Sequence, residues 1–400
     1  MKKYIYLFLC FCISGQALFA SNIQNTTYDK QNTHNNSKKD EYYFPYISGN
    51  ILTEYNFTRM DSGDDGNIIY KDKKDLSYLQ IESNLNIYLF NNFLIKTNTT
   101  FKPVLSRLTD SSQYHNDYYN FERYLKRKNY FNKYDIIFEE LAFEYKEEEF
   151  LIGLGKFNPT FGTAYDKSKY YPIFGTKIAE NYELREKLGF YVAMTLPMLT
   201  LRGNFFYNDN TFLSNSLFGN RGKYNNNKGV ANKKSLDNFS ITADFAINDY
   251  RINLGLRRLS TNINHNKAEK GYVVGFEKLV EESNNSFGFL PFAEYSFIEN
   301  YNGTNNRDIN FITIRLPFVY KNWNLITSYS AKFDDEENFK NYKSYMTQVG
   351  IGYKFENGLM LDVSKTSERE TYKMDINTKT SFKVDSVGVR LSYMILFDDK

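Results

Sequence analysis

The sequence predicts an all-β fold, a transmembrane antiparallel up-and-down β-barrel of about 16 strands with short periplasmic turns and long extracellular loops. Three observations predict it. From Tyr46 to Phe397, runs of roughly ten residues alternate apolar and polar side chains, the period-two mark of strands with unlike faces. The connections between these runs alternate short and long, so one rim is trimmed and the other carries loops. Beyond the first twenty residues no stretch is apolar enough for a spanning helix, and mean hydropathy is -0.57.

The N-terminus reads as a secretory signal over 1–20. Lys2 and Lys3 give a basic start, Tyr4 to Ile13 an apolar region, and Ala17-Leu18-Phe19-Ala20 a cleavage site, with a cut after Ala17 as the alternative. Cys10 and Cys12, the only two cysteines, both lie in this segment. Leu7-Phe8-Leu9 lacks the small residues of a lipoprotein signal, so the mature chain is expected to have no disulfide and no cysteine metal site. Residues 21–45, rich in Asn, Gln, Thr, Lys and Asp, read as a disordered periplasmic tail. The barrel is expected over 46–400.

Its strands follow in order. Tyr46 to Phe57 is the first. Leu76 to Phe90 alternates Leu79, Ile81, Leu85, Ile87 and Leu89 with Gln80, Glu82, Asn84 and Asn86; Asn91-Asn92 turns it into Phe93 to Phe101. A long connection, 106–133, leads to Ile136–Lys146, which turns at Glu147-Glu148-Glu149 into Phe150–Phe157. Leu188–Leu196 and Leu199–Tyr207 form the next hairpin. After a second Tyr/Asn-rich connection, 208–236, Phe239–Ile247 and Tyr250–Leu259 flank Asn248-Asp249. Tyr272–Leu279 and Phe287–Phe297 flank a polar turn at 281–285, and Ile309–Tyr320 and Trp323–Phe333 flank Lys321-Asn322. Tyr345–Phe355 turns at Glu356-Asn357-Gly358 into Leu359–Lys365. In the last strand Val387, Val389, Leu391, Tyr393, Ile395 and Phe397 share one face, and Gly388, Arg390 and Ser392 the other. An even count returns both termini to one side; weak strands at 46–57 and 150–157 leave fourteen and eighteen open.

Composition narrows the function. The chain carries 35 Tyr and 35 Phe against 1 Trp, which suits aromatic girdles at two membrane interfaces, and a net charge of +3 makes no case for nucleic acid. A secreted β-sandwich would alternate too. The export signal, the alternating connection lengths and the closing aromatic strand favour the membrane barrel and a location in the bacterial outer membrane.

With these features the chain resembles the general bacterial porin family, the trimeric sixteen-stranded diffusion channels. The final strand, ending near Phe397, resembles that family's assembly signal, although Asp398, Asp399 and Lys400 follow where the family usually stops. The third long connection, 158–187, carries Pro172-Ile173-Phe174-Gly175-Thr176, which is similar to the family's Pro-Glu-Phe-Gly-Gly segment without its acid. The resemblance implies that this connection folds inward and narrows a pore. It also implies as partners outer-membrane lipid, the outer-membrane assembly machinery, small hydrophilic solutes and ions, and two further copies in a homotrimer.

Inward-facing charge sets pore selectivity. The polar faces of the expected strands place Lys96, Lys102, Arg202, Arg251, Arg257, Arg315, Lys332, Lys354 and Arg390 inward. Against them stand Glu54, Glu82, Glu140, Glu144, Asp244, Glu277, Glu294 and Asp362, so the wall is nearly balanced. Lys156, Lys167, Lys169 and Lys177 make the third connection basic. Phe161, Tyr165, Tyr170, Tyr171 and Phe174 give it rings to pack on a wall. Opposite Arg202, Arg251, Arg257 and Arg315, those lysines are expected to form a narrow positive zone.

Enzyme signatures are thin. The three histidines, His34, His115 and His265, fall in the tail and the outer loops, and nothing assembles a nucleophile and carboxylate around them. Asp61-Ser62-Gly63-Asp64-Asp65-Gly66 lacks the ligand spacing of a calcium loop. No cofactor or metal is expected. The leading function is passive diffusion of ions and small hydrophilic solutes; a barrel-anchored surface adhesin or antigen acting through its loops is the alternative.

Overall fold

The computed structural model describes residues 45–64, 72–103, 134–169, 171–209, 211–217, 230–231, 237–261, 267–279, 287–336, 342–373 and 379–398. The signal and tail segments, the 106–133 connection and all three histidines lie outside the described residues. Sixteen antiparallel strands form one sheet closed on itself. They are β1 (Tyr46–Asp64), β2 (Asp72–Phe90), β3 (Phe93–Pro103), β4 (Tyr134–Lys146), β5 (Phe150–Phe157), β6 (Lys187–Leu196), β7 (Leu199–Asn208) and β8 (Phe239–Ile247). Then come β9 (Tyr250–Leu259), β10 (Glu269–Lys278), β11 in two pieces (Gly288–Phe289 and Phe292–Glu299) and β12 (Arg307–Tyr320). β13 (Trp323–Glu336), β14 (Tyr342–Lys354), β15 (Met360–Lys373) and β16 (Lys379–Asp398) complete the wall.

Closure comes from β1, which pairs with β2 on one side and β16 on the other; Tyr55 stands opposite both Leu79 and Leu391. A closed ladder leaves no strand edge, as a hydrocarbon environment demands. Tight turns join one rim. Asn248 and Lys321 take positive φ there, 52° each, in the left-handed region that asparagine tolerates well.

The faces are inverted relative to a water-soluble protein. On β1, Glu54, Asn56 and Thr58 are buried while Tyr55 and Phe57 are exposed. On β16, Ser386, Arg390 and Ser392 are buried while Val387, Leu391, Tyr393 and Ile395 are exposed. The apolar face points outward, where lipid can cover it, and the polar face lines the lumen. Near the short-turn rim aromatic rings pair across strands: Tyr46 stacks on Tyr88 at 4.3 Å, Phe93 lies 4.9 Å from Tyr145, and Trp323 lies 4.7 Å from Tyr353.

Strand lengths are uneven. β1, β2 and β16 run 19, 19 and 20 residues, while β5 has 8. β5 stops because the chain turns inward after Phe157. The neighbouring β4 continues beyond it, and there the Leu217 amide donates to the Ile136 carbonyl at 2.8 Å, so a segment of the next long connection fills the vacated place. β11 breaks at Pro291, which has no N–H for a ladder. On β4 a register shift opposite Asn98 and Thr99 inserts one residue, and both Glu139 and Glu140 are buried.

Candidate functional site

The third long connection, 158–186, lies inside the barrel. It starts where β5 ends and returns to β6, and its side chains touch inward faces around most of the wall. A five-residue helix, α1 (Ala164–Ser168), and a single turn at Ala179–Asn181 are its only regular elements among the described residues. Phe157, Phe161, Ile178, Tyr182 and Leu184 pack with the inward Tyr191, Phe206, Phe292 and Phe311 in an apolar cluster beneath it.

Wall glycines make room for the loop's rings. A Cβ at Gly271 would stand 2.8 Å from the Phe161 ring, and one at Gly388 would stand 3.1 Å from the Phe174 ring. Glycine at both strand positions lets the rings come close to the wall, most tightly at Gly271.

Glu294 of β11 ties the outgoing and returning limbs together. One carboxylate oxygen accepts from the Thr163 amide at 2.6 Å and the Thr163 hydroxyl at 3.1 Å. The other accepts from the Ala164 amide at 3.2 Å and the Tyr182 hydroxyl at 2.7 Å. Gly162, at φ 77°, brings the backbone round to this carboxylate.

The loop's lysines each meet a wall carboxylate. Lys167 pairs with Glu277 of β10 at 2.5 Å, and Arg251 of β9 holds the same carboxylate at 3.2 Å. Lys169 reaches across to Glu82 of β2, and Lys177 to Glu368 of β15. Arg257 and Arg390 of the wall are paired with carboxylates in the same way, whereas Arg315 and Arg202 are not. Arg257 donates to Glu269 at 2.5 Å and to the Tyr182 carbonyl, with its guanidinium 4.5 Å from the Phe161 ring. Arg315, 1% exposed, donates to the Tyr171 carbonyl. Arg390 bridges Glu54 at 3.2 Å and Asp362 at 2.8 Å. Arg202 lies 5.5 Å from the Tyr191 ring and lines a recess near the short-turn rim with Tyr88, Glu144 and Thr195.

These contacts correct the expected narrow positive zone. The three lysines diverge to β10, β2 and β15 rather than facing one arginine ladder, and each stands against a carboxylate that offsets its charge. Lys156 belongs to β5, not to the loop's inner span. Its ammonium is fully buried among Glu186 at 3.1 Å, Asp209 at 3.2 Å and the Leu213 carbonyl, so it fastens the loop's root.

The remaining charge gathers toward β3 and β4. Lys96 pairs with Glu140 at 2.8 Å; Lys102 and Arg185 share Glu139 at 3.0 and 2.8 Å. The loop adds Asp166 and Glu183 beside them. Burial pushes the Asp166 carboxyl up to about 6, and the Glu140 carboxylate adds to the rise against the nearby Lys169. Burial raises Glu183 well above the usual range too, with Arg185 opposing and Asp166 reinforcing the shift. Glu139, Asp166, Glu183, Arg185 and Glu368 were not evident from strand alternation, because a bulge, a loop and a strand extension place them. Among the described residues no group of His, Cys, Asp and Glu has an arrangement that could hold a metal.

No family model and no curated protein sequence matches the chain. Solved structures do match its fold. OmpF of Salmonella typhi, in a complex with daunomycin, is 12% identical with a TM-score of 0.54, over 86% of this chain and 97% of that one. The outer membrane channel DcaP of Acinetobacter baumannii is 15% identical at 0.53, over 88% and 96%. An anion-selective porin from Comamonas acidovorans is 8% identical at 0.51, over 87% and 100%. The chain thus has the barrel architecture of the outer-membrane porins.

Proposed function

We propose that this chain is an outer-membrane porin, a passive diffusion channel for ions and small hydrophilic solutes, narrowed by the loop 158–186. The observation that supports it is the inverted barrel itself: apolar side chains outside, charged side chains inside, and a long loop seated across the lumen rather than above it. A charged, water-filled lumen passes solutes that lipid excludes. The fold's neighbours include a channel and a porin by description. The signal over 1–20 exports the chain, 21–45 remains in the periplasm, and the barrel assembles as a homotrimer; these are parts of the same proposal.

Because the loop's lysines and the wall arginines Arg251, Arg257 and Arg390 stand against carboxylates, the lumen is a weakly selective passage, not a uniformly positive one. On the side of β3 and β4, Lys96, Lys102 and Arg185 stand against Glu140 and Glu139 in the same way. Liposome swelling tests the reading. Vesicles holding the folded protein should swell in small sugars at rates that fall with sugar size. Vesicles that stay unswollen in every sugar would contradict it.

A further inference from the structure

Arg202 of β7 and Glu144 of β4 line one recess of the lumen near the short-turn rim, and they do not pair with each other. The Nε and Nη2 atoms of Arg202 are buried and make no hydrogen bond among the described residues. These two nitrogens form one edge of the guanidinium, the kind of fork that holds a carboxylate by two parallel hydrogen bonds. Asp244, diagonal to Arg202 on β8, is held instead by the Asn253 amide at 2.8 Å. Glu144, 4% exposed, accepts from the Tyr191 hydroxyl, and among the described residues no cation pairs with it. Tyr191 thus touches both charges, since its ring lies 5.5 Å from the guanidinium.

Small residues open the space between them. Ala193 stands opposite both Leu151 and Arg202, and Gly153 opposite both Glu144 and Tyr191. A Cβ at Gly153 would run into the Tyr191 ring, so glycine there lets the tyrosine reach across to Glu144. The recess spans about 530 Å³, open solvent included. Lys146, Glu147, Glu148 and Glu149 border it at the rim.

We propose that this recess binds a zwitterionic amino acid, its carboxylate on the Nε–Nη2 edge of Arg202 and its ammonium against Glu144. The inference rests on the porin reading above and names a solute class for it. A simple anion would satisfy Arg202 but would also meet Glu144 and three rim glutamates, with only Lys146 among the lining residues to help offset them. A simple amine would satisfy Glu144 and leave the guanidinium unmatched. Leaving a buried charged donor without an acceptor is costly, so a ligand that answers both charges is favoured over either half. The apolar floor of Ala193 and Leu151 suits a small side chain such as that of alanine.

Equilibrium dialysis of the folded full chain in neutral detergent against labelled alanine tests it. Saturable binding is expected, and acetate or ethylamine at equal concentration should displace little of it. Arg202→Gln and Glu144→Gln should each weaken alanine binding roughly tenfold or more. The second change keeps an acceptor for the Tyr191 hydroxyl, and it separates a zwitterion from a plain anion, which would bind more tightly once Glu144 loses its charge. Lys343→Gln, exposed on β14, should leave binding unchanged. A heat-modifiable gel shift in each variant keeps barrel assembly separate from binding. Absence of alanine binding, equal displacement by acetate, or unchanged or tighter binding to the Glu144→Gln variant would overturn the proposal. Swelling of vesicles without alanine binding would sink this inference alone. Alanine binding without swelling would support the site and contradict the porin reading.

Discussion

Glu294 on β11 and Tyr182 on the returning limb of the inner loop are joined by a 2.7 Å hydrogen bond, and the same carboxylate holds Thr163 on the outgoing limb. These residues lie more than a hundred positions apart in the chain. Hydrogen bonds to a charged group contribute roughly 1.5–3 kcal/mol each. Glu294→Leu should therefore free both limbs and raise single-channel conductance while the barrel still shows a heat-modifiable shift. Unchanged conductance and noise would mean that the carboxylate does not hold the loop.

Lys169 and Glu82 offer a charge-swap test. Lys169→Glu sets two carboxylates together and should shift reversal potential toward cations, more strongly at low salt where screening is weaker. Adding Glu82→Lys should restore much of the parent value. A double variant no closer to the parent than the single one would show that this pair does not act together.

Arg390 and Leu391 are adjacent but face opposite environments. Arg390 is buried between Glu54 and Asp362, and Leu391 is exposed on the outer face. Leu391→Lys should cost about 2–4 kcal/mol near the bilayer midplane. Arg390→Gln leaves two buried carboxylates unmatched and should cost roughly 3–5 kcal/mol. Adding Asp362→Asn should recover part of the second loss and none of the first. Denaturant titration of the reconstituted barrel reads all three.

The hairpins with tight asparagine turns were legible in the sequence. β8 and β9 match their expected bounds because alternation and turn chemistry agree there, and β5 matches too although its alternation is weak. The last strand extends past its regular Val387–Phe397 run to Lys379, because ladder hydrogen bonds continue where side chains turn polar above the belt. The loop's burial was hinted at by Phe161, Tyr171 and Phe174. Its electrostatics were not. Lys177 and Glu368 are 191 residues apart, and no local pattern announces such a pair. A wall arginine read strand by strand looks free until the closed barrel brings its carboxylate alongside.

Asp166 supplies a pH dependence. Its carboxyl is pushed up to about 6 by burial, among Lys169, Glu140, Lys167 and Arg185. A carboxyl raised in the folded state favours folding when protonated. That stability is fully present below the unfolded value near 3.8 and is lost as pH rises through about 6. Asp166 is charged above this range and neutral below it. Cation preference should therefore fall as pH drops through about 6, and Asp166→Asn should remove that step. An identical profile in the variant would assign the step to other groups.

The central claim is that the lumen conducts and that the inner loop narrows it. Single-channel recording in planar bilayers tests it most directly, comparing the full chain with a variant in which residues 166–180 are replaced by a short Gly/Ser link. Discrete conductance steps are expected from the full chain, with larger steps from the variant. A full chain that inserts but stays silent, or equal steps from both proteins, would contradict it.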